Sequence, residues 1–184
     1  SVRVKPIKGM RPTRDILYAS GVTASGDTLH VIVVHLPSRR GGEKYSSPFR
    51  MMAARQVAAV IDSIYNKVSA EAKIIVAGDF NDYSNSESMQ LLCSKRMIGV
   101  SKGAKGHNGA KGTYRYQGLW GSLDHILVSI PLADIATECY VNDAEFLIER
   151  DEKYGGVKPR RNYLGPRYLN GFSDHLPLVA RFQW

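Results

Sequence analysis

Ile74-Ile75-Val76-Ala77-Gly78-Asp79-Phe80-Asn81-Asp82 decides the reading of this chain. Its first residues are β-branched and continuously apolar, the signature of a strand buried on both faces. Gly78 then gives the backbone room to turn. In an extended segment Asp79 and Asn81, two apart, point the same way. A carboxylate and an amide facing one point suit a divalent cation and a phosphate oxygen. They suit equally a strand-end turn in which both side chains bond to the backbone.

A second stretch, Phe172-Ser173-Asp174-His175-Leu176-Pro177-Leu178, puts an acid and an imidazole ahead of an apolar terminal run. Neighbouring side chains on extended backbone diverge, so Asp174 reads as an oxygen ligand and His175 as an acid or base paired to another carboxylate. Asp124, opening Leu123-Asp124-His125-Ile126-Leu127-Val128, is the best candidate partner. A carboxylate behind an imidazole fixes its tautomer and raises its basicity. A satisfied structural histidine is the plainer alternative. His35 ends the run Thr28–His35 and precedes Leu36-Pro37-Ser38-Arg39, a position from which it can protonate a leaving oxygen or bind a phosphate. Arg39 and Arg14 can clamp phosphate oxygens, although either taken singly reads as surface charge. By strand parity His30 faces away from His35 and His125 away from Asp124, and both read as structural.

At 184 residues, 43% hydrophobic and 23% charged, the sequence is that of one globular domain. No apolar run has the length of a membrane span. The net charge of +8 favours a polyanionic partner, nucleic acid foremost, though a basic protein without one has the same composition. Cys93 and Cys139 form no CxxC pair, which excludes a cysteine zinc site; Cys93, among Leu91, Leu92 and Met97, reads as core.

The patterning predicts strands over Ile16–Ser20, Thr28–His35, Ala72–Ala77, Thr113–Tyr116, Leu123–Ser129, Ile135–Val141 and Leu176–Trp184. It predicts a long helix opened by Pro48 and capped by Ser46 or Ser47, running to about Val68, and a short one over Ser86–Lys95. Lys102–Gly112, rich in Gly and Lys, reads as a mobile loop, and Arg150–Tyr168 as a long basic one. Strands alternate with helices early and dominate later, so the class is mixed α/β.

Taken in order, Gly78-Asp79-Phe80-Asn81, Ser122-Leu123-Asp124-His125-Ile126-Leu127 and Ser173-Asp174-His175-Leu176-Pro177 resemble the endonuclease/exonuclease/phosphatase superfamily. The resemblance runs through nearly the whole chain. It implies a deoxyribonuclease I-like four-layer sandwich, with two mixed β-sheets face to face and helices outside. It implies hydrolysis of a phosphoester, nucleic acid or a small phosphoester or phospholipid head group, with Mg²⁺ or Mn²⁺. By position, His175 resembles the catalytic histidine and Asp124 its orienting carboxylate. Asp174 resembles a metal ligand, Asp79 the residue that orients or deprotonates the water and also contacts the metal, and Asn81 a phosphate contact. His35 resembles the second histidine of the deoxyribonuclease and sphingomyelinase branches, and Arg14 a phosphate-facing arginine. The family's early strand bearing Asn and the metal-binding Glu after it have no counterpart before His35. Residues 1–184 are therefore expected to form a single partial domain whose amino-terminal strands are missing. Two expectations follow: weak metal affinity or an inactive fragment, and self-association through exposed core edges.

Overall fold

Three β-branched runs build the centre of the molecule, whose computed structural model describes residues 1–184. Strand β1 (Leu17–Val22) pairs antiparallel with β2 (Thr28–His35), and β2 runs parallel to β3 (Lys73–Asp79). The β2–β3 crossover carries helix α1 (Glu43–Lys67), as parallel pairing requires. After α2 (Glu87–Cys93), β4 (Met97–Gly99) closes the sheet on its other side. A hairpin of β5 (Tyr114–Tyr116) and β6 (Leu119–Gly121) leads into β7 (Asp124–Ser129). The five-stranded sheet has the order β1-β2-β3-β7-β4, with β7 antiparallel to β3.

One face of this sheet is packed against the helices. Ile32, Val34, Ile74, Val76 and Leu127 meet Ala53, Ala54, Val57, Ile61 and Ile64 of α1, and all are buried. On the opposite face Leu17 and Val33 are 53% and 42% exposed. That second face is partly covered at its β7 side. After the short helix α3 (Ile130–Ala133), β8 (Ala136–Val141) pairs antiparallel with the final strand, and Trp184 beyond it stacks on the Lys73 ammonium at 4.8 Å. Between them the basic segment is not one loop. It forms β9 (Ile148–Arg150) with β10 (Val157–Pro159), then β11 (Tyr163–Leu164) with β12 (Arg167–Tyr168), before β13 (Leu178–Phe182).

Three expectations need correction. Helix α1 begins at Glu43 with Gly42 as its cap, so Pro48 lies inside it. The added turn is held from outside the helix ladder: Ser46 Oγ donates to Gly42 O at 2.8 Å, and the buried Arg50 bridges Ser46, Glu43 and Asp82. Cys93 is exposed, because Met89 and Leu92 take the buried face of α2 and the next residue turns outward. The Gly/Lys loop is clamped, since the buried Asp143 carboxylate accepts from the backbone N–H groups of His107, Asn108 and Ala110 at 2.7 to 3.0 Å.

Candidate active site

The carboxyl end of β3 lies between β2 and β7, so strand register alone brings three candidate residues level. His35 is the partner of Asp79 across β2–β3, and Asp79 the partner of Asp124 across β3–β7. Gly78 makes the close approach workable. At φ +141° it occupies backbone space that L residues rarely adopt, and an added Cβ would lie 2.0 Å from Val34 O. The chain then turns sharply. Asn81, at φ +51°, folds back so that its backbone N–H donates to Asp79 Oδ1 at 2.8 Å. Its side-chain amide donates to Leu36 O at 3.0 Å and to Asp79 Oδ2 at 3.2 Å. Asn81 is thus buried, locking the β2 and β3 exits together with the Leu36 N–H bond to Asp79 O at 2.9 Å.

His175 arrives from the far end of the sequence. Its backbone bridges Tyr114 of β5, and the next residue donates to Thr113 O at 2.7 Å. The Thr113 hydroxyl accepts from the backbone N–H groups of Leu123 and Asp124 at 3.3 and 3.4 Å, so one segment positions both partners. His175 Nδ1–H donates to Asp124 Oδ2 at 2.7 Å, and the Tyr114 ring lies 4.8 Å away, tilted over the imidazole. Asp79, Asp124 and His175 offer ligand-type atoms all within 4.8 Å of one another.

These groups line a cleft of about 570 Å³ together with His35, Asn81, Ser38, Arg39, Arg40 and Asp174. Asp174 is exposed and stands outside the tight cluster. His35 Nε2 is 3.4 Å from Asp79 Oδ2. Arg39 lines the cleft but is engaged, its Nε 2.6 Å from Glu43 and its guanidinium 4.8 Å over the Tyr83 ring. Arg14 lies in an adjoining cavity, close enough for its charge to act on His35.

The electrostatics separate the two histidines. Burial opposes charge on His175, but the hydrogen bond to Asp124 and its negative charge outweigh that and raise the pKa above the ordinary histidine value. Burial lowers the pKa of His35, and Arg14 adds to the effect against the pull of Asp79. Burial pushes the Asp79 carboxyl up, with the Asn81 N–H restraining the rise. With Asp124 and His175 bonded to each other, the carboxylates of Asp79 and Asp174 are the remaining acidic oxygen donors of the cleft, the type a hard divalent cation takes.

Patterning alone gave no sign of the support beneath this rim. Arg50 of α1 is fully buried, and its Nε lies 2.9 Å from Asp82 Oδ1, off the N–H axis. Ser88 donates to the other Asp82 oxygen at 2.5 Å, and His125 Nε2–H to the Asp82 carbonyl at 2.9 Å. His30 is likewise buried, with Tyr18 Oη 2.8 Å from its Nδ1.

The fold agrees with the comparisons. A model of the Endonuclease/Exonuclease/phosphatase family matches residues 1–183, and the chain belongs to that family. Its fold is that of the deoxyribonuclease I-like sandwich. The mannosyl-6-phosphatase of Bacteroides thetaiotaomicron is similar at a TM-score of 0.56 and 18% identity, over 87% of this chain and 53% of that one. Sphingomyelinase C from Streptomyces griseocarneus has a TM-score of 0.59 at 18% identity, over 90% and 56%. A variant of the Staphylococcus aureus beta toxin with bound magnesium ions has a TM-score of 0.58 at 18% identity, over 90% and 57%. The chain therefore spans a little over half the length of these structures. No curated protein sequence matches it.

Proposed function

We propose that this chain carries the active site of a divalent-metal-dependent phosphodiester hydrolase whose substrate is nucleic acid. The observation that carries the reading is the His175–Asp124 pair at 2.7 Å, set within 4.8 Å of the Asp79 donor atoms in a cleft flanked by Arg39 and Arg40. The net charge of +8 and the arginines at the cleft favour a polyanion over a neutral head group.

Asp79 and Asp174 are the residues that would hold Mg²⁺ or Mn²⁺. When bound, such an ion neutralises charge on the phosphoryl oxygens and lowers the pKa of water. Asp79 orients the attacking water and takes its proton as the new P–O bond forms. His175, held by Asp124, gives its Nε2 proton to the leaving oxygen as the old P–O bond breaks. Neutral His35 holds the phosphate in line above the turn that Asn81 locks, and Arg39 supplies charge at its edge.

The test is turnover of plasmid DNA and a chromogenic phosphodiester with Mg²⁺, Mn²⁺ or EDTA. Activity is expected only with metal, and His175→Ala is expected to lower kcat by about 10²- to 10⁴-fold. EDTA-insensitive turnover, or full activity in His175→Ala, would refute the proposal. Preference for a phosphomonoester or sphingomyelin over both diesters would move the substrate to the small phosphoesters of the family.

A further inference from the structure

A second cavity, of about 450 Å³, opens beside the cleft and shares Ser38 and Arg40 with it. Arg11, Arg14 and Arg40 line it, and all three are exposed. None of them is in an ion pair with a carboxylate of the chain. Glu43, at the start of the adjacent helix, is already engaged by Arg39 and Arg50. Three uncompensated guanidinium groups around one hollow repel one another, and an anion relieves that repulsion. Guanidinium is also the cation best shaped to grip a phosphate through two parallel hydrogen bonds.

The same cavity has an aromatic wall. Tyr45 and Phe49 meet edge to face at 5.3 Å, and the Tyr45 hydroxyl donates to Gly9 O at 3.3 Å, which fixes the ring. Tyr45 is 58% exposed, leaving much of its ring free to stack a base. A cationic floor beside an aromatic wall fits a nucleotide. A single-phosphate head group seated in the cleft would leave the three arginines uncompensated.

We infer that this cavity is a subsite for the nucleotide adjoining the scissile phosphodiester, with Arg11, Arg14 and Arg40 gripping its phosphate and Tyr45 stacking its base. The substrate is then a single nucleic-acid strand with at least two consecutive phosphates. This rests on the phosphodiesterase reading of the cleft and specifies its substrate.

The test compares kcat/KM on a thymidine dimer with one phosphodiester, a thymidine trimer with two, and bis(p-nitrophenyl) phosphate, all with Mn²⁺. The wild-type chain is expected to prefer the trimer to the dimer by about tenfold or more, and the Arg11→Gln, Arg40→Gln double variant to show a ratio within about twofold of unity. No preference in the wild type, or a preference kept by the variant, overturns the subsite. Failure of the wild type on all three substrates refutes the hydrolase reading instead, and binding then decides the cavity. Anisotropy of a fluorescein-labelled octathymidylate in EDTA is expected to show a salt slope lower by about 0.7 in the double variant, for the one phosphate contact it loses. An unchanged slope overturns the subsite whatever the turnover.

Discussion

Two buried histidines set an expectation that does not involve catalysis. His125 and His30 are both held below the usual histidine pKa, chiefly by desolvation, with the hydrogen bond to the Asp82 carbonyl opposing the shift at His125. The unfolded chain takes up protons at these positions near pH 6.5, the folded chain only at lower pH. Between those values the unfolded state binds more protons, so stability falls as pH falls from about 6.5 toward the folded pKa. Over urea midpoints measured from about pH 7.5 down to about 5, His125→Gln should therefore lose less stability, relative to its own value at about pH 7.5, than the wild-type chain. Identical slopes in the two proteins would show that His125 is not buried in neutral form. The identities of His35, Asp79, Asn81, Asp124 and His175 stood out in sequence because each borders an apolar run, at its end or its start. Arg50 and Asp143 did not, because a single charged residue reads as surface until the tertiary structure supplies its partner.

At the scale of elements, the β2 bounds and the course of β3 were legible because continuous β-branched runs leave no alternative period. The start of α1 was not. Proline favours the first helical turn, but here a buried ion network adds residues ahead of it. That network supports the active-site loop, because Asp82 follows Asn81 directly. Arg50→Leu would leave Asp82 buried without its cation, and a loss of about 3–5 kcal/mol in urea unfolding is expected. A loss within about 1 kcal/mol would mean that Asp82 finds water or another donor. Gly78→Ala tests the β2–β3 junction in the same assay. The new methyl meets Val34 O at a backbone angle hostile to alanine, and a loss of at least about 2 kcal/mol is expected.

For the molecule as a whole, the basic segment that reads as a loop in sequence is two small hairpins. The first is pinned to β5, where the buried Arg115 donates to the carbonyls of Gly155 and Val157. Such pairing lies outside local pattern, since its partners are about forty residues apart. The outer face of the large sheet exposes Leu17 and Val33 beside each other in register, and this chain on its own is expected to self-associate. Sedimentation velocity should show species larger than the monomer, shifted toward monomer in Val33→Lys; a monomer at all concentrations would contradict this. The central claim is that residues ninety-six positions apart in sequence, Asp79 and His175, serve one reaction at one rim. A double-mutant cycle on the metal-dependent hydrolysis of a chromogenic phosphodiester tests it most directly. If the two act as a unit, Asp79→Asn with His175→Ala will be within about tenfold of the more damaged single variant. Losses that multiply across the two substitutions, or a single variant with wild-type kcat/KM, would contradict it.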